Sequence, residues 1–367
     1  MVPTPLPQGR VVNVRGADGT RLHTEVFGPS DGYPIVLAHG ITCALHVWRE
    51  QIADLSRDYR VIAFDHRGHG RSSVPPRGRY TLDLLAADVD AVLDATVAPG
   101  ERAVLAGHSM GGIAIGAWSH RFRDKVGERA DGVALINTTT GDIIRQVKFL
   151  TMPPALSAGR VAVGSRIVRR FGGIPTMSAA AGPSRRFVAA LAVGRDADPE
   201  VAEFVYDLFH RTPRVGRGGS AAMLMDALER RHLSLEGLTV PTVVIGSAHD
   251  RLLPIAASRR IAATVPNLLD LVELTGGHCA ILERPAEVNA QLRRLADAAV
   301  DRLVKAGRIA DTLIVGIWNS GEERYAEYYP EKFLAFAPEA VRRDPRVIEA
   351  WLGAGSAASP SAARTRS

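Results

Sequence analysis

The run AVLAGHSMGG, residues 103–112, decides how this chain is read. Ala103 to Ala106 is a short continuous apolar stretch, the pattern of a strand buried on both faces of a parallel sheet. Gly107-His108-Ser109-Met110-Gly111 follows with the spacing G-x-S-x-G, and Met110 to Arg123 continues as a helix. A strand that turns directly into a helix forces its turning residue into a strained backbone conformation. Gly107 and Gly111 remove side chains that would collide in such a turn. Ser109 then presents its hydroxyl above the helix N-terminus. The pentapeptide alone also fits a tight turn whose serine merely caps the helix. Residues elsewhere must separate the two readings.

Working outward, the same rhythm recurs on both sides. Residues 11–15 and 21–27 alternate apolar and polar around Gly19, as a β-hairpin at a sheet edge does. Buried strands are expected at 35–38, 61–64, 132–136, 240–245 and 268–274, giving eight strands in all. Helices are expected at 46–57, 81–98, 255–264 and 280–303. Strands alternating with helices imply right-handed crossovers and a parallel sheet. The rhythm stops after Asn137. Residues 140–219 contain no clear strand and many Gly, Pro and Ala residues, and they read as a mostly helical insertion.

The partners a nucleophilic serine needs follow in order. Asp250 comes just after the strand at 240–245, and His278 just after the strand at 268–274. In a parallel sheet these three strand ends share one edge. A serine hydroxyl is a poor nucleophile at neutral pH, so His278 would take its proton and Asp250 would orient the imidazole. Met110, the residue after the nucleophile, can offer a backbone N–H to a developing oxyanion. His39 and His108 flank the site as alternative bases. Asp65, His66 and His69 have the residue types of a metal site but no further ligand cluster nearby, so a structural loop is the expectation and no metal or other cofactor is invoked. Asn137 cannot act as a carboxylate.

On these residues the chain resembles the α/β-hydrolase superfamily, in its capped, serine-nucleophile, esterase- and lipase-like branch. The matching pieces are His39-Gly40, the run from Asp65 to Ser72, the elbow at 107–111, Asp250 to Pro254 and Gly277-His278. The resemblance implies an eight-stranded, mostly parallel sheet flanked by helices. It implies a core at 1–139 and 220–304, a helical cap at 140–219 and an unmatched C-terminal extension at 305–367. It also places a second oxyanion donor at the backbone N–H of Ile41. A serine at the nucleophile position suits attack on carbonyl carbon. Epoxide hydrolases and haloalkane dehalogenases need a carboxylate there. The implied activity is cleavage of a carboxylic ester through an acyl-enzyme. Cofactor-free haloperoxidase or perhydrolase chemistry, C–C bond hydrolysis and a non-catalytic binding role stand as alternatives.

Composition sets the remaining bounds. The chain has 367 residues, a net charge of +6 and two cysteines, Cys43 and Cys279. Two cysteines build no disulfide framework and suit a reducing, cytoplasmic setting. The N-terminus shows neither a basic nor an apolar signal region. The surplus charge lies between Arg145 and Arg217, which argues against general nucleic-acid binding and for one locally basic surface. There Phe149, Leu150, Ile167 and Phe171 interleave with Arg160, Arg166, Arg169 and Arg170. Such a segment is either a cap helix with a solvated Arg face or a surface for a lipid-like substrate or an anionic membrane. Cys43 and Cys279 are either two buried thiols or two thiols lining the pocket. The aromatic run Tyr325 to Phe336 suggests a docked helical extension, and the Ser- and Ala-rich end a loose terminus.

Overall fold

The computed structural model describes residues 6–143, 188, 190–228 and 231–305. The chain divides into a unit of residues 1–299 and a unit of residues 300–367, of which only 300–305 are described. Eight strands form one sheet: β1 Arg10–Arg15, β2 Arg21–Phe27, β3 Pro34–Ala38, β4 Arg60–Phe64, β5 Ala103–His108, β6 Ala130–Ile136, β7 Thr242–Ser247 and β8 Leu268–Leu274. Their spatial order is β1-β2-β4-β3-β5-β6-β7-β8. The β1–β2 and β2–β4 pairs are antiparallel, and every pair from β4 to β8 is parallel. The eight-stranded, mostly parallel sheet read from the sequence is therefore the one observed.

The helices are α1 Arg49–Leu55, α2 Leu82–Thr96, α3 Met110–Arg121, α4 Arg123–Arg129, α5 Pro199–Arg211, α6 Arg214–Leu228, α7 Ile255–Thr264, α8 Ala280–Glu283 and α9 Pro285–Lys305. No described helix is long and apolar enough to cross a membrane. Thr81 caps α2 by accepting the Leu84 N–H at 3.2 Å. The apolar face that spacing predicts for 81–98, on Leu82, Leu85, Val89, Val92 and Leu93, is buried in the core except at Leu82, which is only partly buried. Inner strands β3, β5, β6 and β7 are buried along their whole length, as continuous apolar runs require.

Several elements depart from expectation, three of them for a readable local reason. The strand expected at 240–245 begins at Thr242, because Pro241 has no N–H for a ladder. The helix expected at 280–303 breaks at Arg284, where Pro285 disfavours helical geometry in the residue before it. Helix α4 was not anticipated: seven residues with Val126 alone buried carry no readable period. Within 140–219, residues 144–187 and 189 lie outside the described residues, and so do the arginines from 160 to 170. The helices α5 and α6 occupy the later part of that span, and α6 runs past 219 to Leu228. The expected extension at 305–367 lies outside the described residues beyond Lys305.

The strand order positions the site. From β3 the chain steps to β4 on one side, then crosses back to β5 on the other. The crevice between the carboxyl ends of β3 and β5 is thus a topological switch point, the place where open α/β sheets hold ligands.

Candidate active site

Ser109 stands at that switch point, where β5 turns into α3, with φ 53° and ψ −117°. Such a conformation costs about 1–3 kcal/mol and survives only when the surroundings hold it. The backbone around it does so. The Ser109 N–H donates to Ile136 O at 3.0 Å, and the Ser109 carbonyl accepts from the Thr138 hydroxyl at 2.7 Å and the Gly112 N–H at 3.0 Å. The Ser109 hydroxyl makes no capping bond to α3. The capping alternative therefore does not describe this serine.

The two elbow glycines answer to different obstacles. A Cβ on Gly107 would lie 2.5 Å from Gly112 N, inside the turn itself. A Cβ on Gly111 would lie 1.9 Å from Ala38 O, so Gly111 is needed for the approach of α3 to β3. The first helical N–H to bond within the turn is that of Gly112, so the Met110 N–H points out of the helix end. Met110 itself is buried and Ile41 half-buried. Ile41 follows Gly40, whose Cβ would stand 3.1 Å from Ser109 Cβ, so the Ile41 loop passes against the serine.

Asp250 and His278 meet. His278 Nδ1 lies 2.8 Å from Asp250 Oδ2, with both side chains buried. The carboxylate takes three further bonds: Leu252 N–H and Leu253 N–H on Oδ1, each at 2.8 Å, and Asn137 Nδ2 on Oδ2 at 3.0 Å. With Nδ1 committed to Asp250, Nε2 is the ring nitrogen left to act as a base.

The other histidines serve the frame. His39 Nε2 accepts the His66 N–H at 3.0 Å, so its Nδ1–H donates to Gly40 O at 2.7 Å. Complete burial, with His66 and His69 beside it, holds His39 neutral far below the usual histidine range. His108 Nε2 donates to the His278 carbonyl at 2.9 Å, and burial pushes its pKa down to about 3. Neither ring is placed as the base, and His108 ties the His278 loop to the residue before Ser109. His66 and His69 pack around His39, with ring centroids 4.7 and 5.4 Å away. No group of three potential metal ligands occurs among the described residues. Arg67 braces its loop through a bidentate pair with Asp88, at 2.6 and 2.7 Å, and a bond to Asp18 at 3.0 Å. His249 is exposed.

Both cysteines are buried. Burial pushes the Cys43 thiol up to about 12, and that of Cys279 also well above its usual value. Neither thiol is exposed to solvent.

Two residues went unread as participants. Asn137, dismissed as no carboxylate, instead donates to Asp250 from the end of β6. Thr138 fixes the Ser109 carbonyl. Position was the available signal: both follow β6, between the strands that carry the serine and the acid.

The model of the alpha/beta hydrolase fold family matches residues 33–285. A second family model, described as a branched-chain amino acid ATP-binding cassette transporter, matches residues 337–357, outside those the structure describes. A non-heme chloroperoxidase of Streptomyces lividans is 45% identical over 100 residues, 27% of this chain and 35% of the relative. That alignment thus spans about a third of the relative's length. A 3-oxoadipate enol-lactonase of Acinetobacter baylyi is 27% identical over 274 residues, 74% of this chain and 92% of the relative. Among solved structures, the enol-lactonase of Burkholderia xenovorans LB400 superposes with a TM-score of 0.60 at 26% identity, covering 78% of this chain and 99% of its own.

Proposed function

Because the chain belongs to the α/β-hydrolase family, we propose that it is a serine hydrolase that cleaves a carboxylic ester through an acyl-enzyme. One observation carries this reading. The Asp250–His278 pair, at 2.8 Å, shares the carboxyl edge of the sheet with a Ser109 whose hydroxyl is not spent on helix capping. In the proposed mechanism His278 Nε2 removes the Ser109 proton as Oγ attacks the substrate carbonyl carbon. The tetrahedral oxyanion is held by the N–H groups of Met110 and Ile41. The leaving alkoxide takes the proton from His278, and a water activated by the same nitrogen releases the acid. Asp250 keeps the imidazole in one tautomer throughout.

A serine at this position attacks carbonyl carbon, so esters, thioesters and lactones are the substrate classes to compare. The enol-lactonase relative matched over most of its length supports a small substrate. A lipid-like acyl group is a second possibility, resting on the apolar and basic residues between Phe149 and Phe171. In that case the segment 140–219 acts as the cap that selects the chain. Peroxide-dependent halogenation with the same three residues is kept as an alternative because of the chloroperoxidase relative.

The test is fluorophosphonate labelling alongside a panel of p-nitrophenyl esters of rising chain length, thioesters and lactones. Wild type should label at Ser109, and Ser109→Ala should lose label and about 10⁴–10⁶-fold in kcat. Equal labelling, or hydrolysis that persists in Ser109→Ala, would overturn the proposal. A halogenation rate exceeding hydrolysis would favour the peroxide reading, and indifference to acyl length would remove the lipid one.

A further inference from the structure

His278 sits in a loop with little stiffness of its own. Gly276 and Gly277 precede it, and Gly276 has φ +116°. Glycine leaves such a backbone free to wander, so the position of the imidazole depends on tethers from outside the loop. Three are present. The Gly277 N–H donates to Glu283 Oε2 at 2.8 Å, the His278 carbonyl accepts from His108 Nε2 at 2.9 Å, and the Cys279 N–H donates to Ala192 O at 3.0 Å. The His108 tether belongs to the core beside Ser109. The other two lead elsewhere.

Glu283 Oε2 also accepts the Gly194 N–H, at 2.9 Å. One carboxylate oxygen therefore joins the loop of His278 to residues 190–194, which precede α5. The two backbones touch. A Cβ on Gly277 would lie 2.2 Å from Gly194 N and 2.4 Å from Val193 C. Arg251, next to Asp250, adds a bond to Ala190 O at 3.3 Å. The same 190–194 stretch thus contacts the neighbours of both His278 and Asp250. Beside the clamp opens a cavity of about 490 Å³ lined by Glu283, Gly194, Gly276 and His249.

We propose that Glu283 is a positioning residue for the reaction: its carboxylate bridges the backbone of Gly277 and Gly194, so that the His278 ring is held in register with the segment between β6 and β7. Glu283 touches no reacting atom. It acts through the backbone before His278, and it makes the stance of the base depend on how residues 190–194 are seated. The proposal rests on the serine-hydrolase reading above.

The test is steady-state kinetics on the best ester of the panel, with wild type, Ser109→Ala, Glu283→Ala, Glu283→Gln and Gly194→Ala, each melted thermally to show that it is folded. Glu283→Ala should lose about 10–100-fold in kcat, since small misplacements of a reacting group are that costly, with KM changed less than about threefold. Glu283→Gln keeps an amide oxygen able to accept both N–H groups and should restore kcat to within about threefold of wild type. Gly194→Ala puts a methyl 2.8 Å from Glu283 Oε2 without altering the carboxylate, and should reproduce the selective loss in kcat. A folded Glu283→Ala or Gly194→Ala with wild-type kcat would overturn the proposal, and so would Glu283→Gln as impaired as Glu283→Ala. An active Ser109→Ala would instead sink the serine reading, whatever the clamp variants do.

Discussion

Three of the four described non-glycine residues with positive φ are Thr42, Ser109 and Asn137, and they stand in the loops that leave β3, β5 and β6. Strain of this kind persists where neighbouring contacts over-determine it. At Asn137, with φ 43°, the reward is a side chain aimed at Asp250, which its Nδ2 reaches at 3.0 Å while Oδ1 takes the Ser247 hydroxyl at 3.4 Å. Asn137→Gly tolerates the same φ and removes only the side chain. Loss of a charge-assisted bond worth about 1.5–3 kcal/mol should lower kcat about 10–100-fold. The ratio of wild-type to variant kcat, on protein shown to be folded, checks this. A variant with wild-type kcat would make Asn137 a bystander. The positions of Ser109, Asp250 and His278 at the ends of β5, β7 and β8 were legible because they follow from residue type and order. Asn137 was not, because an amide at the end of the neighbouring strand gains its role only from the carboxylate it meets.

At the level of elements, glycine separates local from tertiary causes. Gly111 opens α3, and a Cβ there would lie 1.9 Å from the backbone of β3. Backbone does not yield as a side chain does, so Gly111→Ala should destabilise by about 3 kcal/mol or more, or fail to fold. Gly127 lies exposed in α4, with nothing within 4 Å of its Cβ position. Gly127→Ala should stabilise by about 0.5–1 kcal/mol, since only chain entropy is at stake there. Urea unfolding of the two variants measures both, and similar effects at the two sites would defeat the argument. Helices with an apolar face, such as α2, could be read from spacing. The short α4 and the α8–α9 break could not be read from period. One has a single buried residue, and the other hangs on one proline.

For the molecule as a whole, buried neutral histidines weigh against stability in acid, while burial of Asp65 and Asp88 raises their carboxyls and acts the other way. His39, His66, His69 and His108 are all buried, and burial holds His66 at about 3, His69 at about 4 and His108 at about 3. An unfolded chain protonates these rings near the ordinary value of 6.5. Their contribution is therefore complete above pH 6.5 and is lost as pH falls toward the folded values. Each ring can add up to about 1.4 kcal/mol per pH unit to the slope. Stability measured by urea unfolding should fall steeply between pH 7 and pH 5. Neither ring nitrogen of His66 has a partner among the described residues. His66→Leu should therefore flatten that slope by up to about 1.4 kcal/mol per unit. Parallel slopes for variant and wild type would count against the assignment.

The alternation that makes a parallel sheet, the strand-to-helix turn that presents Ser109 and the order in which Asp250 and His278 follow are all written along the chain. These are matters of period, residue type and chain direction, all local to a few residues. Folding in three dimensions selects which nitrogen of His278 is committed, which residue bonds Asp250 from β6, and which carboxylate bonds the loop before the histidine. Those contacts join groups such as Asn137 and Asp250, or Gly194 and Glu283, that lie far apart along the chain. A hydrogen bond depends on distance and angle in space, and neither is encoded in the spacing of residues along a chain.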